Sequence, residues 1–538
     1  MPPGRETWWP PLGAALLGAA IILLIWGPGV VPPWRTGWML SGQVGPDPVQ
    51  YWLGWAFFRD DAWRWPPGLN PRYGMELSSS VFYADAIPLL AFLFKALWPL
   101  APVDQYWGLW LVACGALQAL FAALAVRRLG GGALAQVAAG GLMALSPLLI
   151  NRLGGHFALG GQWLVLAGLW LWWAPPTRGR PWGWAALAAA TALIHSYILP
   201  MVLALWLADA WRRRAWLEAP LVPGAALAAL WLAGFFVLAE GHGTAGYGQM
   251  QMDLLAPLDR GPWGSLLPDI RSAEHPEANS SYLGLGGLVL AGCALLRPWR
   301  RGAWPLAAVL GAMLAFAVSH RVMLGGRLLL EVPLPPALLE MAGALRASER
   351  YWWPMAYALM LAGAGGLAAR LGPRRAGWAL LALLGLQAWD LRPAYARIAH
   401  FFPPTEARLP LRLGDPEWRR LAAQASAIRL VPAMNQGPLW EEVAVLAATA
   451  GRPTDATYLA RTDPAAAAAL GEAVLARLRA GEPEPGVLHV LRNAAALEAA
   501  RAGLPGRLRR LDGVWLIAPI PPGPPAPTYG HEERRPPP

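Results

Sequence analysis

Two aspartates stand out in a charged and aromatic stretch near the start of the chain, residues 41–85. Asp47 lies in the sequence GPDP, where Pro46 and Pro48 fix their own φ angles and restrict their neighbours, so its carboxylate has a defined direction. Asp85 precedes an apolar run in SSSVFYADAIP. Two carboxylates can accept a proton, orient an acceptor or hold a divalent cation. The alternative for both is helix capping, since Asp followed by Pro is a common helix start.

Basic side chains further along the chain are candidates for binding an anion. His156 lies in a glycine-flanked turn next to Arg152, where it fits acid–base work or phosphate contact, or a local hydrogen bond at a helix end. Arg350 lies in RASERYW, directly before an apolar segment. An arginine at the edge of a membrane-spanning segment is costly in lipid unless it is paired. The planar donors of its guanidinium suit phosphate. The alternatives are an ion pair with Glu349 or contact with lipid headgroups, and Arg321 is a candidate of the same kind.

His195 is followed by Ser196 and Tyr197, between two short apolar runs. A nucleophilic triad needs a serine, a histidine and a third group that orients the histidine. No third partner is evident near these residues, so the sequence gives no basis for a nucleophilic triad here.

The composition indicates what must position these side chains. Hydrophobic residues make up 56% of the chain and charged residues only 14%, whereas soluble domains carry about 25% charged residues. Apolar runs recur that are long enough to cross a hydrocarbon core of about 30 Å. The net charge of +11 is carried by short basic clusters between these runs, a pattern typical of cytoplasmic loops. The chain is therefore predicted to be a polytopic membrane protein with no nucleic-acid partner.

The arginine clusters also predict a topology. Residues 84–102 are apolar but carry Lys95, and a full crossing there would place most arginine clusters outside. We therefore interpret them as an interfacial helix and expect about eleven transmembrane helices in residues 1–392, with the N-terminus in the cytoplasm. The predicted outer loops are a large first loop at 32–103 and three others, at 151–162, 241–281 and 319–351.

The pattern changes after residue 392. Strand-like segments such as IRLVPA, GVLHVLR and VWLIAPI alternate with helical, alanine-rich runs, which is βαβ-like patterning. Residues 393–520 are therefore predicted to form a small α/β domain outside the cytoplasm. They contain no glycine-rich phosphate loop. Residues 521–538 are rich in proline and predicted to be a disordered tail.

Four stretches carry a resemblance to a known superfamily: the GPDPVQYWLGWAFF region, GGHFALGGQW, YGQMQMDLLAPLD with SSYLGLG, and RASERYWWP. They resemble an uncharacterised bacterial family that is similar to GT-C membrane glycosyltransferases, which use polyprenyl-phosphate sugar donors. The resemblance covers residue 45 to the start of the C-terminal domain. It implies hexosyl or pentosyl transfer to a glycan, lipid or protein acceptor on the outer face of the bacterial cytoplasmic membrane. It also implies that the acidic residue of the first outer loop, here Asp47, serves as base or helps to bind a metal.

On this basis we predict three groups of site residues. The predicted catalytic residues are Asp47, Asp85 and His156; those for the donor phosphate are Arg350, Arg152 and Arg321; and those for the acceptor or sugar are Glu76, Tyr83 and Glu349. A divalent cation, magnesium or manganese, would bind if Asp47 and Asp85 converge. The alternative functions are a lipid or polysaccharide transporter or flippase, and a non-catalytic envelope assembly protein. The concentration of charges in outer loops favours an enzyme, because transporters place ionisable groups near mid-membrane.

Overall fold

The computed structural model describes residues 8–42, 44–238, 246–270, 281–297, 301–402 and 412–519. The predicted tail at 521–538 and parts of the predicted outer loop at 241–281 lie outside the described residues. The chain divides into two compact units. The first contains most of residues 8–402 and a short segment at Leu459–Asp463; the second contains Arg72–Leu77 and the remaining C-terminal residues.

The first unit is mostly helical. Its helices are α1 (Trp9–Trp26), α2 (Gly37–Leu40), α3 (Asp47–Phe58), α4 (Pro88–Leu97), α5 (Trp107–Arg128), α6 (Ala133–Ala144), α7 (Pro147–Leu153), α8 (Trp163–Trp173), α9 (Arg180–Ala192), α10 (Leu199–Arg213), α11 (Leu221–Leu232), α12 (Leu285–Gly292), α13 (Trp304–Val318), α14 (Pro336–Gly343) and α15 (Trp353–Phe401). A two-stranded antiparallel hairpin, β1 (Arg321–Leu324) and β2 (Arg327–Glu331), lies between α13 and α14.

Fewer helices than expected are long and apolar enough to cross a membrane. Within the described residues three qualify by length and composition, Trp9–Trp26, Trp107–Arg128 and Ser348–His400, and a fourth if the bent pair α6–α7 counts as one span. The prediction of about eleven complete spans is therefore corrected. Most other apolar segments form helices of 10–17 residues, shorter than the about 20 residues that a bilayer requires.

Single residues explain where the predicted spans break. Helices α6 and α7 meet at an angle of 47°, at the point where Pro147 begins α7 and cannot continue the hydrogen bonding of α6. Helix α15 contains two apolar segments that hydropathy separates. A single non-helical residue, Gly372, with a φ of 74°, interrupts the helix between them. Such a positive φ is open to glycine at little cost. Helix α4 has ten residues and is about 15 Å long, too short to cross the bilayer.

Small residues let the central helices of the first unit approach closely. Helix α1 packs against α5 and α6, and α15 packs against α6 and α12. A Cβ atom on Gly18 would lie 2.1 Å from the carbonyl oxygen of Gly115, so glycine is required where α1 meets α5. Contacts of this kind are the usual basis of helix association in membranes, where dispersion forces act over short distances.

The second unit contains a four-stranded sheet in the order β3-β4-β6-β5, formed by β3 (Ala427–Val431), β4 (Val487–Leu491), β5 (Leu508–Leu511) and β6 (Val514–Ile517). Strands β3 and β4 are parallel, and the other pairs are antiparallel. The helices are α16 (Pro416–Gln424), α17 (Trp440–Ala450), α18 (Pro464–Ala480) and α19 (Ala494–Gly503). The C-terminal region thus contains the strands that the sequence predicted.

The early segment Arg72–Leu77 is part of the second unit. The main chain of Thr454 accepts a hydrogen bond from Gly74 and donates one to the carbonyl of Arg72, at 2.9 and 3.0 Å. Leu77 packs in an apolar cluster with Ala433 and Ala467. The second unit therefore includes a piece of chain that precedes its strands by more than three hundred residues in sequence.

Candidate functional site

Asp47 contacts a histidine in the first unit. Asp47 is the first residue of α3, and the preceding Pro46 occupies the N-cap position. Its Oδ2 lies 2.9 Å from Nδ1 of His156, and both side chains are partly exposed, 18% and 35%. The carboxylate therefore both favours the helix start, through the positive end of the helix dipole, and binds an imidazole. The helix thus begins at Asp47 itself with Pro46 as its N-cap and without a side-chain capping hydrogen bond, so Asp47 does not cap a helix that starts at Pro48.

Asp85 is a second carboxyl group close enough to Asp47 to interact with it. It lies half-buried in the link between α3 and α4, with a left-handed φ of 50°. Burial and the charge of Asp47 raise the pKa of Asp85, Arg350 lowers it, and the resulting pKa is about 7. Asp85 therefore exchanges its proton near neutral pH. Two carboxyl groups in unlike environments can serve different roles in one site.

A buried ion pair joins two further segments at this site. Arg152 lies in the last turn of α7, and Glu349 lies in the turn Ser348–Trp352 that leads into α15. Nη2 of Arg152 is 3.5 Å from Oε1 of Glu349, and each side chain is only 3% exposed. A buried pair of this kind positions both segments, because neither charge can be left alone without a large cost.

Arg350 and the link between α9 and α10 complete the cluster. The guanidinium carbon of Arg350 lies 4.8 Å from the centroid of the Tyr197 ring, a cation–π distance. Nδ1 of His195 accepts a hydrogen bond of 3.1 Å from the backbone N–H of Tyr197. Burial first, and then the charges of Arg350, His156 and Arg152, lower the pKa of His195 to about 3. His195 therefore belongs to the same group of side chains.

The structure thus brings together most of the predicted residues. Those in the cluster are Asp47, Asp85, His156, Arg152, Arg350 and Glu349, from the start of α3, the link before α4, the end of α7 with its following turn, and the turn before α15. The sequence predicted no role for His195 and Tyr197. The signal that could have identified them is a break, HSY, between two short apolar helices.

Three predicted residues have other partners. Arg321, on β1, lies 3.8 Å from Glu331 on β2 and donates to the carbonyl of Gly248. Tyr83 is buried, and its hydroxyl donates to the carbonyl of Phe235 at 2.6 Å. Glu76 belongs to the second unit, where Arg429 donates to its carboxylate at 2.6 and 3.1 Å. Arg321 and Glu76 are therefore held by ion pairs, and Tyr83 by a main-chain contact.

The predicted metal remains a prediction. In the described parts of the chain, no three His, Cys, Asp or Glu side chains are grouped so that they could hold a metal ion. Magnesium often binds one or two carboxylates together with substrate phosphate and water. Asp47 and Asp85 could supply those carboxylates, although one oxygen of Asp47 already contacts His156.

This arrangement can accept a proton beside bound negative charge. The Asp47–His156 pair can take a proton from a hydroxyl group, and Asp85 can hold or release one near pH 7. Arg350 and Arg152 provide donors suited to phosphate oxygens. The cluster thus combines carboxyl groups and an imidazole with two arginines.

Comparison with known proteins identifies the regions of the chain. A family model described as "Domain of unknown function (DUF6311)" matches residues 15–392. A second model, described as "DUF6311 C-terminal domain", matches residues 417–519. No curated protein matches the sequence.

Proposed function

Because the chain belongs to the DUF6311 family, whose description assigns no activity, we propose a function from the side chains of the site. The protein is a membrane glycosyltransferase that moves a sugar from a polyprenyl-phosphate donor to a hydroxyl group of a cell-envelope glycan, lipid or protein. The observation that carries this proposal is the contact of Asp47 with His156, next to a second carboxyl group and two arginines. A base beside cationic side chains is what such a transfer requires.

The proposed step is one substitution at the anomeric carbon of the sugar. The oxygen of the acceptor hydroxyl attacks this carbon and forms a new C–O bond, while the bond from the carbon to the phosphate oxygen breaks. The electron pair leaves with the polyprenyl phosphate, and Asp47 accepts the hydroxyl proton. His156 holds the carboxylate of Asp47 in place through its 2.9 Å contact, so the base faces the acceptor in one orientation.

The two arginines act on the leaving phosphate. Negative charge develops on the phosphate oxygen as the bond to the sugar breaks, and donors fixed beforehand stabilise it best. Arg350 is held over the ring of Tyr197, and Arg152 is held by Glu349. Asp85 orients the acceptor. If a divalent cation binds, the carboxylate of Asp85 would be one of its ligands.

The membrane arrangement that goes with this function is GT-C-like. In this proposal the three clear spans cross the bacterial cytoplasmic membrane, and the shorter apolar helices pack beside them within the bilayer. The N-terminus is cytoplasmic, and the site and the C-terminal domain lie on the outer face, where lipid-linked sugars are consumed. The location of the site residues at helix ends and links supports this proposal, because the distribution of arginine clusters predicts that these segments are outer loops.

The test compares two strains that produce Asp47→Asn and Asp60→Asn variants at normal abundance. Asp60 is an exposed carboxylate of the same loop and serves as the matched control. We expect Asp47→Asn to abolish one glycan modification of the envelope and to cause its lipid-linked donor to accumulate on the outer leaflet. Unchanged envelope glycans in the Asp47→Asn strain would overturn the proposal. Accumulation of the donor on the inner leaflet would instead identify a flippase.

A further inference from the structure

The protonation state of His195 is determined by its own backbone turn. The N–H of Tyr197 donates to Nδ1 of His195 at 3.1 Å. A backbone N–H can only donate, so Nδ1 must carry a lone pair and no proton. The neutral ring therefore carries its proton on Nε2, on the opposite edge. His195 is thus held as a single tautomer that presents an N–H donor away from the turn.

The groups around His195 also keep it uncharged. The cationic or titratable groups that act on it are Arg350 from the turn before α15, Arg152 from the end of α7 and His156 from the turn after α7. On its own link, the ring of Tyr197 lies 5.8 Å away. Together with burial, these charges lower the pKa of His195 to about 3. An imidazolium would add a further positive charge to a cluster that already holds two arginines.

The Nε2 atom has no hydrogen-bond partner among the residues that the structure describes. The side chain is half-buried, not enclosed, so a ligand can reach it. The N–H on Nε2 is therefore a hydrogen-bond donor that a ligand can use. An anionic oxygen would satisfy it, and the neighbouring arginines favour the same kind of ligand.

We propose that Nε2–H of His195 donates a hydrogen bond to a phosphate oxygen of a prenyl-phosphate ligand. This inference rests on the proposed function and names a binding residue for its lipid phosphate. His195 adds a directional donor and no charge. It can therefore orient the phosphate without tightening the binding of the anionic product as a third cation would. Its contribution also stays constant through neutral pH, unlike that of an ordinary histidine with a pKa near 6.5.

The test measures binding of farnesyl phosphate, a short prenyl phosphate, to the full-length protein in lipid nanodiscs. His195→Leu removes the donor, and His195→Gln keeps an N–H group at a similar distance. We expect His195→Leu to weaken binding about 10-fold or more, the effect of one hydrogen bond to a charged group. His195→Gln should retain most of the affinity. Farnesol, which lacks the phosphate, should bind all three proteins equally, and thermal unfolding should show that both variants are folded.

The pH dependence separates a neutral donor from a charged one. The ratio of wild-type to His195→Leu affinity should stay constant between pH 5.5 and 8. A ratio that grows on acidification would show an imidazolium and overturn the proposal, as would equal affinity of wild type and His195→Leu. Competition with inorganic phosphate distinguishes a free phosphate site, which it would fill, from a lipid phosphate site. Binding that follows these expectations without any sugar transfer would leave this inference standing and reject the proposed function.

Discussion

At the scale of single residues, the site depends on two carboxyl groups in different surroundings. Asp47 is held by His156 and lies at a helix start, whereas Asp85 is half-buried and faces the charge of Asp47. The surroundings of Asp85 favour its neutral acid and raise its pKa. Two carboxyl groups in unlike surroundings can serve different roles in one site.

The raised pKa of Asp85 makes a prediction about stability. Its pKa is about 7 in the folded protein and 3.8 in its ordinary state, so between these values the folded protein keeps a proton that the unfolded chain releases. Stability therefore falls as the pH rises from about 4 to about 7. Asp85→Asn removes this loss and should stabilise the protein above pH 7 by about 1–2 kcal/mol, since solvent screens part of the effect.

Thermal unfolding of the full chain in detergent at pH 5 and pH 8 measures this difference. The melting temperature of Asp85→Asn should exceed that of the wild type by more at pH 8 than at pH 5. Asp60→Asn, in the same loop and exposed, should follow the wild type at both pH values. Parallel pH profiles for Asp85→Asn and the wild type would contradict the raised pKa.

Much of this cluster could be predicted residue by residue, but its contacts could not. Asp47, Asp85, His156, Arg152 and Arg350 were each proposed from residue type and position beside an apolar segment. Their convergence depends on how helices pack, which no local pattern encodes. His195 was not assigned a role because its partners come from distant segments and from the backbone of Tyr197.

At the scale of elements, the buried pair of Arg152 and Glu349 joins α7 to the start of α15. Glu349→Gln would remove the negative charge that lies 3.5 Å from the buried guanidinium of Arg152. We expect a loss of about 3–5 kcal/mol of stability, the usual cost of removing one partner of a buried pair. Thermal unfolding in detergent checks this, with Glu340→Gln on the exposed side of α14 as the control.

A double variant sharpens the test of this pair. Arg152→Met combined with Glu349→Leu removes both charges and should recover part of the stability that Glu349→Gln loses. If Glu349→Gln alone were as stable as the wild type, the pair would not link the two helices.

The close approach of α1 and α5 makes a second prediction at this scale. Gly18→Ala would place a Cβ atom 2.1 Å from the carbonyl oxygen of Gly115, so the helices must separate. We expect a loss of roughly 1–3 kcal/mol from overpacking. Gly13→Ala in the same helix is the matched control, because its Cβ would meet only Val137 at 3.7 Å. Equal melting temperatures of the two variants in detergent would contradict the packing.

The elements show where hydropathy predicts structure well and where it fails. It located the apolar segments, because a window average responds to composition over many residues. It could not locate their ends, because one residue such as Pro147 or Gly372 changes the backbone without changing the average. Strand β5 was not predicted, because its sequence LRRL has two adjacent arginines and so lacks the alternation of apolar and polar residues that indicates a strand.

At the scale of the whole molecule, the second unit depends on a buried arginine. Arg429 on β3 is 3% exposed and binds Asp455 at 2.9 Å, as well as Glu76 and Glu484. Asp455 is 1% exposed, and burial raises its pKa to about 6 even though Arg429 lowers it. One cation therefore contacts three carboxylates from different parts of the sequence.

Arg429→Met should destabilise this unit most at high pH. Without the guanidinium the folded-state pKa of Asp455 rises further above its ordinary value, so ionisation opposes folding more strongly as the pH rises. Hydrogen exchange of residues 412–519 in the full chain should be faster than in the wild type, with a larger difference at pH 8 than at pH 5. Arg420→Met, which breaks the exposed pair with Glu417, should change exchange very little.

The segment Arg72–Leu77 has a consequence for biosynthesis. Glu76 and its partner Arg429 are 353 residues apart, and ribosomes add about 5–20 residues per second. About 20 to 70 seconds therefore pass between the synthesis of Glu76 and the synthesis of Arg429. Throughout this time the carboxylate of Glu76 lacks the guanidinium of Arg429. A chain that stops before residue 427 never supplies this partner.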